Sequence, residues 1–303
     1  MRESTRRSYR DRMLSVLAFI EAGLDRSLTL AEIAAVADFS PYHFHRVFRG
    51  TVGESISGFI RRLRLERAAG RLLDGDEPVM VIALRAGYYS NQAFTRAFLA
   101  SFGEPPSQFR RLRRSIPLIA SPSGYHYHSG EGVVSFITVE GGAGVMDAKV
   151  VTTKDMKVLS VRHVGPYHMI GEAFERLDKA VKAAGVDTRD SQWLAIYNDD
   201  PDQVPAAELT SEACVTVGEF PSDPGGSGMK AFEIPGGLHA TTRHVGGYDG
   251  LHGTWCTLVG SWIPSNGFKP RCAPCYEIYV KGHECTSDES EFLTDLYEPV
   301  DRV

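Results

Sequence analysis

The N-terminal half of the chain is written twice. Residues 39–64, FSPYHFHRVFRGTVGESISGFIRRLR, align with residues 89–114, YSNQAFTRAFLASFGEPPSQFRRLRR, at an offset of 50, with ten identities. They are Ser40/Ser90, Phe44/Phe94, Arg46/Arg96, Phe48/Phe98, Gly53/Gly103, Glu54/Glu104, Ser57/Ser107, Phe59/Phe109, Arg61/Arg111 and Arg64/Arg114. Upstream the match continues at offset 49, Ile33-Ala34 answering Ile82-Ala83 and Ala37 answering Ala86. One extra residue therefore stands beside Tyr88-Tyr89 in the second copy, and each copy is one structural unit.

The unit reads as two short helices. Thr29 and Glu32 have capping-box spacing and open a helix to about Ala37. Ser40 as N-cap with Pro41 at the first helical position opens a second, to about Thr51. Phe44, Val47 and Phe48 fall on one face of that helix and Tyr42, His45, Arg46 and Arg49 on the other. In the second copy the helices span residues 79–86 and 91–101, the latter capped by Ser90. Phe94, Ala97 and Phe98 point inward there, and Asn91, Gln92, Thr95, Arg96 and Leu99 outward. A long helix over 57–74 joins the copies. This is helix-turn-helix spacing, and the outward residues suit base edges: Arg for guanine, Gln or Asn for adenine. Two reading helices on one rigid rod can enter successive major grooves, about 34 Å apart. The charge agrees: residues 1–115 hold 19 Arg, no Lys and 12 acids, a balance of +7, against −12 for the rest. Guanidinium forks match phosphate oxygens, although a solvated helical surface would have the same composition.

Residues 10–114 resemble the DNA-binding domain of the AraC family through these two motifs. The resemblance implies base contacts from Tyr42, His45 and Arg46 and from Asn91, Gln92, Thr95 and Arg96, with double-stranded DNA as partner and RNA polymerase as a further partner of an activator. Here the domain comes first in the chain, as in the Rob-like subgroup.

Residues 115–146 are rich in Gly, Ser and Pro and read as a linker with one strand at Val133–Val139. His126 and His128 have no Cys or acidic partner at ligand spacing, so no metal is expected there. The chain thus divides into 1–114, a linker over 115–146, and 147–303.

The last part carries its own repeat. Arg162-His-Val-Gly165 matches Arg243-His-Val-Gly246, and Tyr167 matches Tyr248, at offset 81. Each copy goes strand, Gly turn, helix, then a strand (193–197; 276–281) with a further strand nearby (214–217; 295–300). The fold class expected is multi-domain: an all-α domain with two helix-turn-helix motifs, then an α+β domain of two strand-helix-strand modules. Two such modules related by a pseudo-twofold axis can pair their sheets and leave a groove between the helices, where ligands bind. Tyr167, Trp193, Tyr197, Tyr248, Trp255, Trp262, Tyr276 and Tyr279 are the aromatic candidates for its lining, the first five being the ones assigned to the ligand site. Alternation in CYEIYVK places Cys275, Glu277 and Tyr279 on one face. If that face is solvent, Glu277 is an ordinary surface carboxylate; if it faces the groove, a carboxylate among rings must be compensated, as a cationic or donor-rich effector would do, and a small cationic or aromatic effector is the expectation. Cys272 and Cys275 have CxxC spacing, which suits redox chemistry or half a zinc site, but two buried thiols beside a strand are the expectation. Five Cys, all in the second half, do not make a disulfide framework.

Residues 147–303 resemble the GyrI-like effector-binding domain through RHVGPY (162–167), RHVGGY (243–248) and CYEIYVKG (275–282). The resemblance implies that Glu277 lies in the ligand pocket. The charged N-terminus lacks a secretory signal and no apolar run approaches a membrane span, so a cytoplasmic, nucleoid-associated protein is expected. The sequence therefore predicts a transcription regulator that senses a small effector, with no cofactor, no metal and no catalytic residues. The alternative is a GyrI-like hydrolase of small molecules tethered to DNA, in which Glu277 and a neighbouring Tyr position a water.

Overall fold

The computed structural model describes residues 2–39, 41–113, 119–127, 146–199, 201, 204–224 and 228–303, without the side chains of 2–8 and 41–43. It forms two compact units, essentially residues 7–139 and 140–303. Among the described residues no helix is long and apolar enough to cross a membrane.

The N-terminal unit is helical: α1 (Arg2–Ala22), α2 (Leu30–Val36), α3 (Pro41–Val52), α4 (Ile56–Asp74), α5 (Val79–Arg85), α6 (Asn91–Phe102) and α7 (Pro106–Leu112). Capping follows the sequence signals. The Thr29 hydroxyl accepts from the Glu32 N–H at 3.3 Å while the Thr29 N–H donates to the Glu32 carboxylate at 2.8 Å, which closes the capping box. Ser90 accepts from the Ala93 N–H at 3.2 Å and starts α6. The repeated glycines Gly53 (φ 82°) and Gly103 (φ 75°) both sit in the left-handed region just past α3 and α6, where a side chain would be strained.

Packing also repeats. Phe44, Phe48 and Phe59 form a chain of rings 5.9 and 5.5 Å apart, and Phe94, Phe98 and Phe109 form its counterpart at 5.5 and 5.2 Å. All six are buried, and each contributes roughly 1.5–3 kcal/mol of hydrophobic stabilisation. One element was not anticipated: α1 lays Met13, Val16, Leu17 and Ile20 into the core at helical spacing.

The linker expectation fails in part. Residues 119–127 pack into the N-terminal unit. Tyr125 is fully buried, its ring 5.5 Å from Phe59 and its hydroxyl donating to Glu21. Its carbonyl accepts from Arg62 at 2.8 Å. Arg62, itself buried, also meets Glu54 at 2.5 Å and Glu66 at 3.1 Å. Glu66 in turn takes the Tyr127 N–H and the His126 imidazole, both at 2.9 Å. A buried aromatic and a closed polar network outweigh the chain entropy that the Gly/Ser/Pro composition suggested. The strand expected at Val133–Val139 and His128 lie outside the described residues.

The C-terminal unit is a curled sheet carrying helices. Its elements are β1 (Ala148–Thr153), β2 (Met156–Val164), α8 (Gly171–Ala183), β3 (Trp193–Tyr197), β4 (Thr210–Thr216), β5 (Lys230–Ile234), β6 (Gly237–Val245), α9 (Leu251–Thr257), α10 (Ile263–Ser265), β7 (Phe268–Pro270), β8 (Tyr276–Lys281) and β9 (Leu293–Arg302). A π-turn over 258–262 joins α9 to α10. The strand order is β1-β6-β9-β8-β3-β4-β2-β5, with β7 paired to β9. Read outward from the centre, β3-β4-β2-β5 mirrors β8-β9-β6-β1, the arrangement that the sequence repeat requires. The modules meet where β3 and β8 pair antiparallel, Leu194 opposite Ile278 and Ala195 opposite Glu277. They are also interlocked: β1 precedes the first module yet pairs with β6 of the second, and β5 precedes the second yet pairs with β2 of the first.

The Arg62 network generates a stability prediction. Arg62→Ala leaves two carboxylates in a buried site without their guanidinium and should destabilise the N-terminal unit by about 3–5 kcal/mol. Urea denaturation of the full chain, followed by near-UV signals from the buried rings, measures it.

Candidate functional site

On α6, burial follows one stripe: Phe94, Phe98 and Phe102 are inside, while Asn91, Gln92 and Arg96 are exposed and Thr95 is half-buried. The last four line one open concavity. The side chains that the sequence assigned to base reading in the second motif thus share a single accessible surface.

The first motif differs. On α3, Phe44, Val47 and Phe48 are buried as expected, but so are His45 and Arg46, each 7% exposed, and Arg49 is half-buried. The expectation that His45 and Arg46 project into solvent is therefore corrected: α3 is enclosed on more than one face. A guanidinium enters so low an exposure only with compensating partners, and Arg46 is engaged. The Tyr42 side chain lies outside the described residues.

Many of the arginines in this half are architectural. Arg64 donates to the carbonyls of Leu24 and Arg26, Arg67 to that of Arg85 and to the Asp25 carboxylate, and Arg110 to those of Leu72 and Glu77. Arg61, Arg96, Arg111 and Arg113 remain exposed.

In the C-terminal unit the two RHVGxY motifs make the same turn. The His163 Nε2–H donates to the Pro166 carbonyl and the His244 Nε2–H to the Gly247 carbonyl, each at 3.1 Å. Gly165 (φ 138°) and Gly246 (φ 125°) take a backbone conformation that favours glycine. Each turn delivers a tyrosine, Tyr167 or Tyr248, in a single 3₁₀ turn before the helix.

Those rings surround a carboxylate. Glu277, 3% exposed, accepts from the Trp255 indole N–H at 2.6 Å and from the Tyr279 hydroxyl at 3.2 Å. Tyr197 meets Tyr279 hydroxyl to hydroxyl at 2.7 Å. Tyr167 packs edge-on to Tyr197 at 4.6 Å, its hydroxyl donating to the Asp199 carbonyl, and Tyr248 stands edge-on to Tyr279 at 5.6 Å. Tyr167, Tyr197 and Tyr279 are half-buried and Tyr248 is exposed, so the ring cluster that reaches the buried Glu277 runs out to the surface. Trp193 lies on the same sheet face and reaches the group through Phe174, 6.2 Å from Trp193 and 5.7 Å from Tyr279. Tyr279 was among the expected aromatic candidates; Phe174 was not, because nothing in the sequence distinguished it from a core residue.

The proton positions follow from electrostatics. Burial, then the Glu277 charge, raises the Tyr197 phenol well above its ordinary range; burial, then the neighbouring Tyr197 and Glu277, does the same to Tyr279. Both stay protonated at neutral pH, so Tyr197 donates to Tyr279 and Tyr279 to Glu277. Burial and the charges of Glu284 and Glu277 push Tyr248 up to about 12.

The five cysteines form no disulfide, and Cys285 lies within electrostatic reach of Tyr248. Cys275 is buried but Cys272, in the loop before β8, is exposed, so the expectation of two buried thiols holds only for Cys275. Among the described residues no group of three His, Cys, Asp or Glu side chains could hold a metal ion.

Comparison with known proteins agrees with this division. Residues 146–301 match the model of the GyrI-like small molecule binding domain. The chain belongs to the GyrI-like family. Ahead of that domain, residues 33–112 match a helix-turn-helix domain model of the AraC type. An uncharacterized HTH-type transcriptional regulator of Bacillus subtilis, YbfP, is 36% identical over 106 residues, 35% of this chain and 36% of that protein. The right origin-binding protein of Escherichia coli K12 is 38% identical over 96 residues, 32% of this chain and 33% of that protein. A DNA gyrase inhibitor of Yersinia enterocolitica is 28% identical over 160 residues, 52% of this chain and 99% of that protein. The chain thus spans about a third of the length of the two DNA-binding relatives it matches.

The GyrI-like domain yields a pH prediction. A phenol whose pKa is raised by folding contributes stability that is complete below the unfolded value of about 10 and is lost as pH climbs towards the folded value. Tyr197, Tyr248 and Tyr279 should ionise late in a 295 nm absorbance titration, and stability should fall from about pH 10 upward. The Tyr197→Phe/Tyr279→Phe double variant should flatten that fall.

Proposed function

We propose that the chain is a transcription regulator that reads double-stranded DNA through its helix-turn-helix motifs and binds a small cationic or aromatic effector in its GyrI-like domain. For DNA the carrying observation is the exposed, contiguous face of Asn91, Gln92, Thr95 and Arg96 on α6. Their chemistry fits base edges: a bidentate guanidinium for guanine, two amides for adenine, a methyl and hydroxyl from Thr95. The face of α3 would join when His45 and Arg46 are uncovered, with Tyr42 and Arg49 beside them. Arg96→Ala should remove about 1–3 kcal/mol of discrimination between a selected and a scrambled duplex. Equal weakening on both, with a shallower salt slope, would reassign Arg96 to phosphate.

For the effector, the carrying observation is a buried carboxylate joined by donors to a cluster of aromatic rings, of which Tyr248 is exposed. Glu277 supplies negative charge in a place water reaches poorly, and the rings of Tyr167, Tyr197, Tyr248 and Tyr279 present π faces or edges to whatever enters. A lipophilic cation satisfies both, through charge attraction and roughly 0.5–2 kcal/mol from each well-placed ring. Effector and DNA affinity are then coupled only as far as the effector prefers one conformational state. RNA polymerase is the further partner this reading assigns to an activator. The hydrolytic alternative draws on the same chain of donors, since Tyr279 beside Glu277 could orient a water. Binding is the stronger reading, because Trp255 and Tyr279 already occupy the carboxylate oxygens that a general base needs free.

Isothermal titration of the full chain with tetraphenylphosphonium, a simple aromatic cation, tests this. Glu277→Gln should weaken binding at least about tenfold, which is the loss of one charge-assisted contact. Retained affinity in Glu277→Gln would remove the carboxylate from the site. Saturable product formation from small esters or epoxides, abolished by the same substitution, would establish the enzyme instead.

A further inference from the structure

The second helix-turn-helix motif carries a residue that the first does not, and the structure shows where it goes. In the first copy Phe39 precedes the N-cap position of α3 and packs inward, its ring 5.4 Å from Tyr9 and 6.1 Å from Phe44. In the second copy that inward place belongs to Tyr88, whose ring meets Phe94 edge-on at 5.5 Å. The extra residue is Tyr89. It is 93% exposed, more than any other large apolar or aromatic side chain among the described residues.

We infer that Tyr89 is a DNA contact of the second motif, made to the sugar–phosphate backbone at the entry of α6. The inference rests on the reading of α6 as the DNA-recognition helix and adds to it a residue from outside the helix. Position argues for it. Tyr89 directly precedes Ser90, the extended N-cap whose side chain starts α6, and the exposed face begins immediately after it with Asn91 and Gln92. When a helix lies in the major groove its own side chains meet base edges, while the residues flanking its end meet the groove walls, which are phosphate and deoxyribose.

Surroundings argue for it too. The turn from Gly87 (φ 84°) to Tyr89 runs over Arg64, whose guanidinium lies within 2.9 Å of the space a Gly87 side chain would fill. Arg64 is within electrostatic reach of both tyrosines and Arg61, exposed, of Tyr88. Tyr89 thus has within electrostatic reach the Arg64 guanidinium, which also faces Asp25 and donates to the Leu24 and Arg26 carbonyls, and its phenolic O–H is free of burial to donate to a phosphate. A fully solvated aromatic ring gains nothing from folding, and its apolar edge suits a deoxyribose.

A neutral donor leaves a signature that arginine does not. Salt dependence counts the charges that displace counterions, so a tyrosine contact adds affinity without adding to the slope. The test uses the full chain, a duplex selected by the wild-type protein from a random pool, and a scrambled duplex of the same length, by fluorescence anisotropy over a salt series. Tyr89→Ala should weaken both duplexes by about threefold to tenfold, with their ratio and the salt slope unchanged, as expected for one net hydrogen bond and its packing. Tyr89→Phe should lose part of this. Circular dichroism should be unaltered in both variants, given the exposure. Arg96→Ala runs alongside. If Tyr89→Ala binds both duplexes like wild type while Arg96→Ala loses discrimination, the Tyr89 inference fails and the reading of α6 stands. A changed ratio in Tyr89→Ala would move the contact to a base and overturn the backbone assignment. If Arg96→Ala too is without effect, or the wild-type chain selects no duplex, the DNA reading of α6 fails and this inference falls with it.

Discussion

A carboxylate at 3% exposure in the central strand pair of a sheet is the constraint around which the C-terminal half is organised. Removing a charge from water costs several kcal/mol even after relaxation, and only well-placed donors offset it. Glu277 obtains them from separate elements: Trp255 from α9 and Tyr279 from its own strand, with Tyr197 of the other module donating to Tyr279. Because Tyr197 belongs to β3 and Glu277 to β8, the donor chain crosses the seam between the modules. The residue paired with Glu277 is Ala195, which in turn pairs with Ala213 on β4, and both are fully buried in one core cluster with Leu177 and Val181 of α8. The ring cluster and the means of holding the charge are thus part of one packed arrangement.

The N-terminal half solves a different problem with a different residue. Helix ends leave carbonyls without intrahelical partners, and short helices joined by tight turns produce many such ends. A guanidinium carries five donors in a fixed fork and can serve a carbonyl and a carboxylate together. Arg62 and Arg67 do this, and Arg64 and Arg110 each serve two carbonyls. The absence of Lys from residues 1–115 has this physical basis as well as any role at a phosphate. It also means that net positive charge overstates how many arginines are free to meet DNA.

The repeats made most of the fold legible. Offsets of 50 and 81 residues fixed the helix-turn-helix pairs, the palindromic sheet and the matched tyrosine turns, because a repeated sequence must solve the same packing problem twice. The strands at Trp193–Tyr197 and Tyr276–Lys281 have the expected bounds, and the alternation around Glu277 placed its side chain on the helix-covered face. What escaped the sequence is non-local. Helix α1 had the apolar spacing but no repeat partner to call attention to it. Strands β1 and β5 pair across modules, so neither copy by itself indicates a partner for them. Segment 119–127 looks like a linker by composition, yet one tyrosine finds a buried site more than 60 residues away in sequence, on Phe59 and Arg62. The burial of His45 and Arg46 was invisible for the same reason, since periodicity marks the face that packs within a motif and is silent on what else encloses it.

That enclosure sets the terms of recognition. A helix such as α6 can engage a major groove as it stands, and each good base contact adds about 1–3 kcal/mol of discrimination. One helix contacts only a few base pairs, so a site long enough to be selective in a genome requires α3 as well. The side chains of α3 must first leave their present partners, and the free energy of that release is subtracted from the affinity of the two-motif complex. In the proposed two-motif complex, DNA binding and exposure of α3 form one equilibrium between enclosed and open states. A ligand that shifted the population from 1:99 to 99:1 would have to discriminate between those states by about 10⁴.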